Sequence, residues 1–282
     1  AALETGAVTP ESTSFCNGMW FHFGTWSWPF KCWSNHGTMT LDQALEQSCN
    51  IYFYRAGKNT RVAALNRYAL MYGFGERTGI ELPEEKEGLI PNPSWRRRVR
   101  GTSWVPGNTI QMSIGQGDVL ATPLQMACAY AALATGGKSY EPRLVLSAKN
   151  EANGEIKTFE PRLRPGNLDL APTTFQLLGR GFEHVVGGPR GTGRKARIPG
   201  LDVAGKTGTA EVPKGEDHAM FVGYAPADRP QFLTAVLVEN GGGGGLTAGP
   251  IARYLIEQYF GLPHFRSVEE IRSARGGDLE PG

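Results

Sequence analysis

The stretch that most constrains the fold lies in the last third of the chain. Met220-Phe221-Val222-Gly223-Tyr224 and Phe232-Leu233-Thr234-Ala235-Val236-Leu237-Val238 are apolar runs rich in β-branched and aromatic residues. They read as strands of about 5–7 residues. The connection between them is short, and a parallel pair needs a crossover of about a dozen residues or more, so antiparallel pairing follows. Leu201-Asp202-Val203-Ala204-Gly205 leads into a further predicted strand, Lys206-Thr207-Gly208-Thr209-Ala210. An amphipathic helix is expected from Ile251 to Phe260.

Upstream, the signals are helical. Thr40 and Gln43 form a capping box, and Thr122-Pro123-Leu124-Gln125 forms another with Pro at the first helical position. The second helix runs to Gly136-Gly137. Others fit Arg61 to Met71, with Gly73 as its stop, and Thr173 to Val186. Residues 73–113 read as turn-rich. The expected class is α+β: an antiparallel sheet flanked by helices, plus an all-helical subdomain.

Composition narrows the function. The chain has 282 residues, 40% apolar and 20% charged, which excludes disorder. It is long enough to bury a core without disulfide staples. Lys and Arg number 29 against 27 Asp and Glu, so no electrostatic case exists for nucleic acid or acidic lipid. No apolar run approaches the roughly 18 residues of a membrane span, and no signal peptide starts the chain. Gly (38) and Pro (19) make about a fifth of the chain, which implies many turns around a catalytic or binding surface. Ala1-Ala2-Leu3-Glu4-Thr5-Gly6 reads like a helix end capped by Gly6, which suggests a piece of something larger. One domain is expected over 1–265, with 14–38 a Cys- and aromatic-rich insertion loop and 266–282 a polar tail that frays.

That insertion carries Trp20, Trp26, Trp28 and Trp33, with Phe15, Phe21, Phe23 and Phe30, and reads as a twisted loop or short hairpin. Cys16 and Cys32 lie in it, Cys49 follows, and His36 sits between the last two. Cys32-x3-His36 is a short chelate, and Cys16, Cys32, His36 and Cys49 would close a tetrahedral zinc site. A Cys16–Cys32 disulfide and unlinked thiols are the alternatives. His22 is a weaker ligand candidate. Cys128, in a small-residue helix, reads as a core thiol.

The glycine run Gly241 to Gly245 lacks the Gly-Lys-Ser/Thr ending of a phosphate loop and reads as a flexible strand-to-helix turn. Arg96, Arg97, Arg98 and Arg100 read as a solvated loop, with an anionic contact as the alternative. His184, His218 and His264 are isolated and read as structural. Two tripeptides differ. On the predicted strand, Gly208 lets a substrate lie beside the backbone. Lys206 presents a cation, Thr207 or Thr209 a hydroxyl for a carboxylate, and the Thr209 amide a donor for an oxyanion. Ser48-Cys49-Asn50 offers a hydroxyl that relays a proton and an amide that holds a carbonyl. Residues two apart share no helix face, so Ser48 and Asn50 reach one cleft only from a loop or a helix end.

Together and in this order, the two motifs resemble the transpeptidase domain of class B penicillin-binding proteins of the cell-elongation type (the penicillin-binding protein 2 group), whose motif set is S-x-x-K, S-D-N and K-T-G, with Cys49 here in place of the Asp. Further blocks extend the resemblance over nearly the whole chain. They include Gly73-Phe74-Gly75 with Thr78-Gly79-Ile80, Ser113-Ile114-Gly115-Gln116-Gly117 with Thr122-Pro123-Leu124-Gln125-Met126, His218 with Phe221-Val222-Gly223-Tyr224-Ala225-Pro226, and Val238-Glu239-Asn240-Gly241-Gly242. The resemblance implies a serine β-lactamase/transpeptidase-like fold and a serine acyl transfer that cross-links peptidoglycan stem peptides and is trapped by β-lactams. It makes Ser48 the proton relay, Asn50 the binder of the substrate amide and Lys206 the electrostatic support. Thr207, Gly208 and Thr209 become the substrate-binding strand. It implies no catalytic cofactor, and it supports a structural zinc at Cys16, Cys32, His36 and Cys49. It also implies a periplasmic domain of an inner-membrane-anchored protein that works beside a SEDS-family glycosyltransferase.

One motif is missing: no Ser in the chain is followed by Lys three positions on. Ser27 has Lys31 one place late and Ser147 has Lys149 one place early. The expected position is just upstream of residue 1, so these residues alone should form no acyl-enzyme. The alternatives are a non-catalytic β-lactam or peptidoglycan sensor or scaffold and a β-lactam-hydrolysing relative.

Overall fold

The computed structural model describes residues 1–24, 28–164 and 168–262. Trp26, His264 and the expected tail 266–282 lie outside the described residues. Near the N-terminus Thr5 N–H closes one helical turn on the Ala1 carbonyl, and Gly6 follows at φ +67°. Two nested antiparallel pairs then build the insertion. β1 (Ser14–Cys16) pairs with β4 (Gly37–Met39), and inside them β2 (Met19–Trp20) pairs with β3 (Phe30–Lys31). The expected hairpin is therefore present, doubled.

Thr40 caps α1 (Leu41–Glu46) through the expected capping box with Gln43. The next helix differs from the sequence reading. α2 (Asn50–Met71) starts well before Arg61, and Arg61, at φ +67°, marks the kink where two helical pieces meet. The early start has a packing cause: Ile51, Tyr52, Tyr54 and Ala56 are all buried against α1 and the insertion.

Residues 73–113 hold two helices that the turn signals concealed, α3 (Pro93–Arg100) and α4 (Pro106–Met112). Pro93 and Pro106 sit at helix starts, where the missing N–H costs nothing. The arginine run is thus helical. Its last-turn cations complement the helix dipole, and Arg96 and Arg100 both grip Asp118, at 3.0 and 2.6 Å. α5 (Pro123–Ala134) carries the second expected capping box. Its buried Gln125 donates to the Glu76 and Glu87 carbonyls, both at 2.7 Å, and so ties down the turn-rich segment. Cys128 is only half-buried. An exposed hairpin of β5 (Ser147–Lys149) and β6 (Ile156–Thr158) precedes α6 (Pro172–Gly187). No described helix is long and apolar enough to cross a membrane.

The sheet has the order β7 (Ala204–Ala210), β8 (His218–Ala225), β9 (Phe232–Val238), antiparallel throughout as expected. α7 (Gly244–Tyr259) covers one face. Phe221, Ala219, Ala248, Ala252 and Ile256 are fully buried between them, with Val185 of α6. A second core joins α1, α2 and the insertion to Ala204 and Tyr224 on the other face of the sheet. Side chains alternate along β7, so Lys206 belongs to the face of the second core and Thr207 to the face under α7.

α7 corrects the reading of the glycine run. Gly244 and Gly245 already belong to the helix, which starts before Ile251 and carries Pro250 inside it. A Cβ on Gly244 would collide with the carbonyl oxygens of Gly208 and Met220, and one on Gly245 with that of Thr192. These glycines serve close backbone packing, not flexibility. Gly244→Ala should therefore destabilise the domain by about 1–3 kcal/mol in chemical denaturation. A flexible turn would tolerate alanine without loss.

Candidate functional site

Ser48 lies in the tight turn between α1 and α2. Its N–H donates to Leu45 O at 3.3 Å, and the next residue, Cys49, donates to Ala44 O at 3.0 Å. This turn holds Ser48 at φ +52°, a left-handed conformation that costs a non-glycine residue about 1 kcal/mol or more. The indole of Trp33 braces it: Nε1 donates to the carbonyls of Gln47 at 3.1 Å and Ser48 at 3.2 Å. Asn50 is the first residue of α2, so the pair Ser48 and Asn50 does arise from a loop and a helix end. Asn50 Nδ2 donates to the Lys31 carbonyl of the insertion at 3.3 Å.

β7 brings Lys206 to this turn from 158 positions away. Lys206 Nζ donates to Ser48 Oγ and, at 3.2 Å, to the carbonyl of Thr207. Desolvation by burial pulls the Lys206 ammonium down from the usual lysine range to about 8. Thr207 sits on the opposite face of the strand and reaches Ser48 indirectly. Its hydroxyl lies 2.8 Å from Thr192 Oγ1, which lies 3.3 Å from Ser48 Oγ. Thr209 is exposed, its hydroxyl accepting from Gly244 N–H at 3.4 Å and its carbonyl from Gln116 Nε2 at 3.2 Å. Gly208 has a second reason to lack a side chain: a Cβ there would lie 3.3 Å from Met220 Cβ on β8.

The structure therefore joins Ser48, Lys206 and Thr207, with Thr209 two places along the same strand. A cation and a line of hydroxyls form a group able to hold an anion and pass a proton. Sequence reasoning missed Thr192 as a member. Its one local signal is the pair of flanking glycines, Gly191 and Gly193. Gln116, which meets the Thr209 carbonyl, carries no local signal beyond its place in Ser113-Ile114-Gly115-Gln116-Gly117.

The four ligand candidates also converge. Cys16 Sγ, Cys32 Sγ, Cys49 Sγ and a His36 ring nitrogen lie within 4.8 Å of one another. His36 Nδ1 is 3.5 Å from both Cys16 Sγ and Cys32 Sγ. No disulfide joins any of the cysteines. A tetrahedral zinc with Zn–S near 2.3 Å holds its ligands roughly 3.8 Å apart, so the set fits that ion after a small contraction. A hydrogen bond from Cys49 holds the Cys32 thiol down to about 4, helped by backbone amides of Ser34, Ile51 and Asn50. The same hydrogen bond, together with burial, pushes the Cys49 thiol up. Zinc takes thiolates, so Cys32 offers one ready donor, and binding at this cluster would release the protons of the other thiols. His22 stands outside this set, its ring 4.9 Å from Trp20 and 4.5 Å from Phe23. His184 pairs with Asp42 at 2.8 Å, and His218 Nδ1 accepts from Asn240 N–H at 3.0 Å, both structural contacts.

A family model of the penicillin binding protein transpeptidase domain matches residues 1–257. The peptidoglycan D,D-transpeptidase MrdA of Acinetobacter baumannii is 37% identical over 259 residues, which are 86% of this chain and 38% of that protein. Penicillin-binding protein 2 of Pseudomonas aeruginosa, solved with WCK 5153, superimposes with a TM-score of 0.81 at 32% identity, covering 92% of this chain and 56% of that one. Helicobacter pylori penicillin-binding protein 2, solved in complex with MreC, gives a TM-score of 0.75 at 29% identity over 92% of this chain and 48% of that one. The chain thus spans about two fifths of the length of the curated relative it matches. A matched family model over nine tenths of the residues, on this fold and with this site, means that the chain belongs to the penicillin-binding protein transpeptidase domain family.

Proposed function

We propose that this domain holds and processes the D-Ala-D-Ala end of a peptidoglycan stem peptide in a D,D-transpeptidase of cell elongation, and that it binds β-lactams at the same place. The observation that carries this reading is the contact of Lys206 Nζ with Ser48 Oγ beside the hydroxyls of Thr192 and Thr207. The terminal carboxylate lies along β7, taken by Thr207 and Thr209. One N–H of the Asn50 amide is used by Lys31, and the other serves a substrate carbonyl. A serine outside these residues attacks the penultimate D-Ala carbonyl with the Thr209 amide as one oxyanion donor. The C–N bond to the terminal D-Ala breaks, and the proton that the attacking serine gives up reaches the leaving amine through Ser48, which takes one proton and passes one on. An amine from a neighbouring stem then takes the acyl group. Lys206, charged below about 8, favours the anions of this sequence.

Cys16, Cys32, His36 and Cys49 would hold a structural zinc. Bound there, the ion would pin the insertion to Cys49, which lies between Ser48 and Asn50, and so stiffen the turn that presents both. The reading places the domain in the periplasm as part of a membrane-anchored protein. A SEDS-family glycosyltransferase and an MreC-like protein are its expected partners, the latter because the Helicobacter pylori relative was solved with MreC.

Four outcomes are expected. These 282 residues, incubated with a fluorescent penicillin, should give no covalent band after denaturation, and a band would overturn the placement of the nucleophile outside them. An N-acyl-D-Ala-D-Ala acid should bind non-covalently, and its affinity should drop roughly tenfold between pH 7 and 9 as Lys206 loses its charge. Lys206→Met should bind weakly with no such step, and a step that survives this change would remove Lys206 from its role. Protein purified without chelator should contain about one zinc per chain. Less than about 0.1 zinc per chain would end the metal assignment.

A further inference from the structure

Thr192 belongs to no motif, yet its backbone is pinned from three helices. Its N–H donates to the Glu46 carbonyl of α1 at 3.2 Å, and Arg190 N–H donates to Glu46 Oε1 at 2.9 Å. Gly193 N–H donates to Val185 O of α6 at 2.8 Å. A side chain on Gly191 would collide with the His184 and Val185 carbonyls, and one on Gly245 of α7 with the Thr192 carbonyl. The turn that carries Thr192 therefore has little freedom, and its hydroxyl has a set position.

That hydroxyl has three oxygen neighbours: Thr207 Oγ1 at 2.8 Å, Ser48 Oγ at 3.3 Å and Glu46 O at 3.4 Å. Counting protons restricts what they do. The Lys206 ammonium only donates, so Ser48 Oγ accepts from it and keeps its own proton to give. The Glu46 carbonyl only accepts. Several arrangements satisfy the line, and they fall into two groups. In one, Thr207 donates to Thr192, and Thr192 donates to Glu46 or to Ser48. In the other, the Thr207 proton is free for an anion, Ser48 donates to Thr192, and Thr192 donates to Thr207 or to Glu46. A carboxylate beside Thr207 selects the second group, because it takes the Thr207 proton and leaves Thr192 to accept from Ser48. Ser48 then turns its proton toward Thr192 and its lone pairs toward Lys206 and the cleft.

We propose that Thr192 is a positioning residue that couples carboxylate recognition at Thr207 to the orientation of the Ser48 hydroxyl. This rests on the function proposed above. A correctly terminated peptide sets Ser48 to receive a proton, and a peptide without the carboxylate leaves it unset. The Lys206 and Thr207 side chains lie on opposite faces of β7, and Ser48 and Thr192 link them around the strand.

The test uses this chain, an N-acyl-D-Ala-D-Ala acid and NMR, with Thr192→Val and Thr192→Ser. At saturating acid, the Thr207 and Thr209 amides should shift in all three proteins. The Ser48 Cβ resonance should shift in the unmodified chain and in Thr192→Ser, and stay fixed in Thr192→Val. Affinity should fall about tenfold in Thr192→Val and recover to within about threefold in Thr192→Ser. A Ser48 response that persists in Thr192→Val overturns the coupling, as does a Thr192→Ser protein that behaves like the valine variant. Loss of the Thr207 and Thr209 responses in Thr192→Val alone also overturns it, because Thr192 would then belong to the binding surface itself. Failure of the unmodified chain to bind the acid would overturn the proposed function, and this coupling with it.

Discussion

The contact between Lys206 and Ser48 depends on two cores meeting at a set distance. Lys206 is fixed by the register of β7 on β8, and that register is fixed by the apolar face packed under α7. Ser48 is fixed by the turn between α1 and α2, which rests on the other core. Neither core contains both residues. Their meeting requires backbones to approach more closely than side chains allow, and glycines make that approach. Gly244 and Gly245 bring α7 against β7, β8 and the Thr192 carbonyl, and Gly181 admits Leu45 of α1 to the surface of α6. The site is a seam, and glycines set its width.

The left-handed Ser48 shows how the seam is held. A strained turn persists only where its surroundings determine it fully. Here the restraints come from different parts of the chain: the hydrogen bonds of α1, the indole of Trp33, the Lys206 ammonium and the Cys49 thiol beneath. The insertion thus acts on the cleft by gripping the residues on either side of Cys49. Its aromatic residues, several of them exposed, frame the four-ligand cluster and the turn together.

Much of the fold was legible from local rules. The capping boxes at Thr40 and Thr122, the strands 218–225 and 232–238 and their antiparallel pairing all follow from side chains within a few residues. The departures at α3, α4 and α7 share one cause. Pro93, Pro106 and the glycines of 241–245 were read as breakers, yet two prolines begin helices and two glycines sit inside one. A residue that breaks a helix in isolation is tolerated where its missing N–H is an orphan or its missing side chain admits another backbone. α2 starts eleven residues before Arg61, and burial of its aromatic first turns outweighs their weak helix propensity.

For the site the division is similar. The sequence by itself determined which chemistry was present: a serine and an amide two places apart, a lysine and threonines alternating on a strand, and three cysteines with a histidine at chelating range. Motif spacing carries that much because each group's reactivity is a property of its side chain. Only the tertiary structure decided that Lys206 meets Ser48 directly and that Asn50 is partly engaged by Lys31. It also decided that the four soft ligands face one point. Thr192 could be found no other way. Its role lies in the direction of three hydrogen bonds that cross between α1, the turn after it and β7, and no pattern along one chain encodes a distance across a seam.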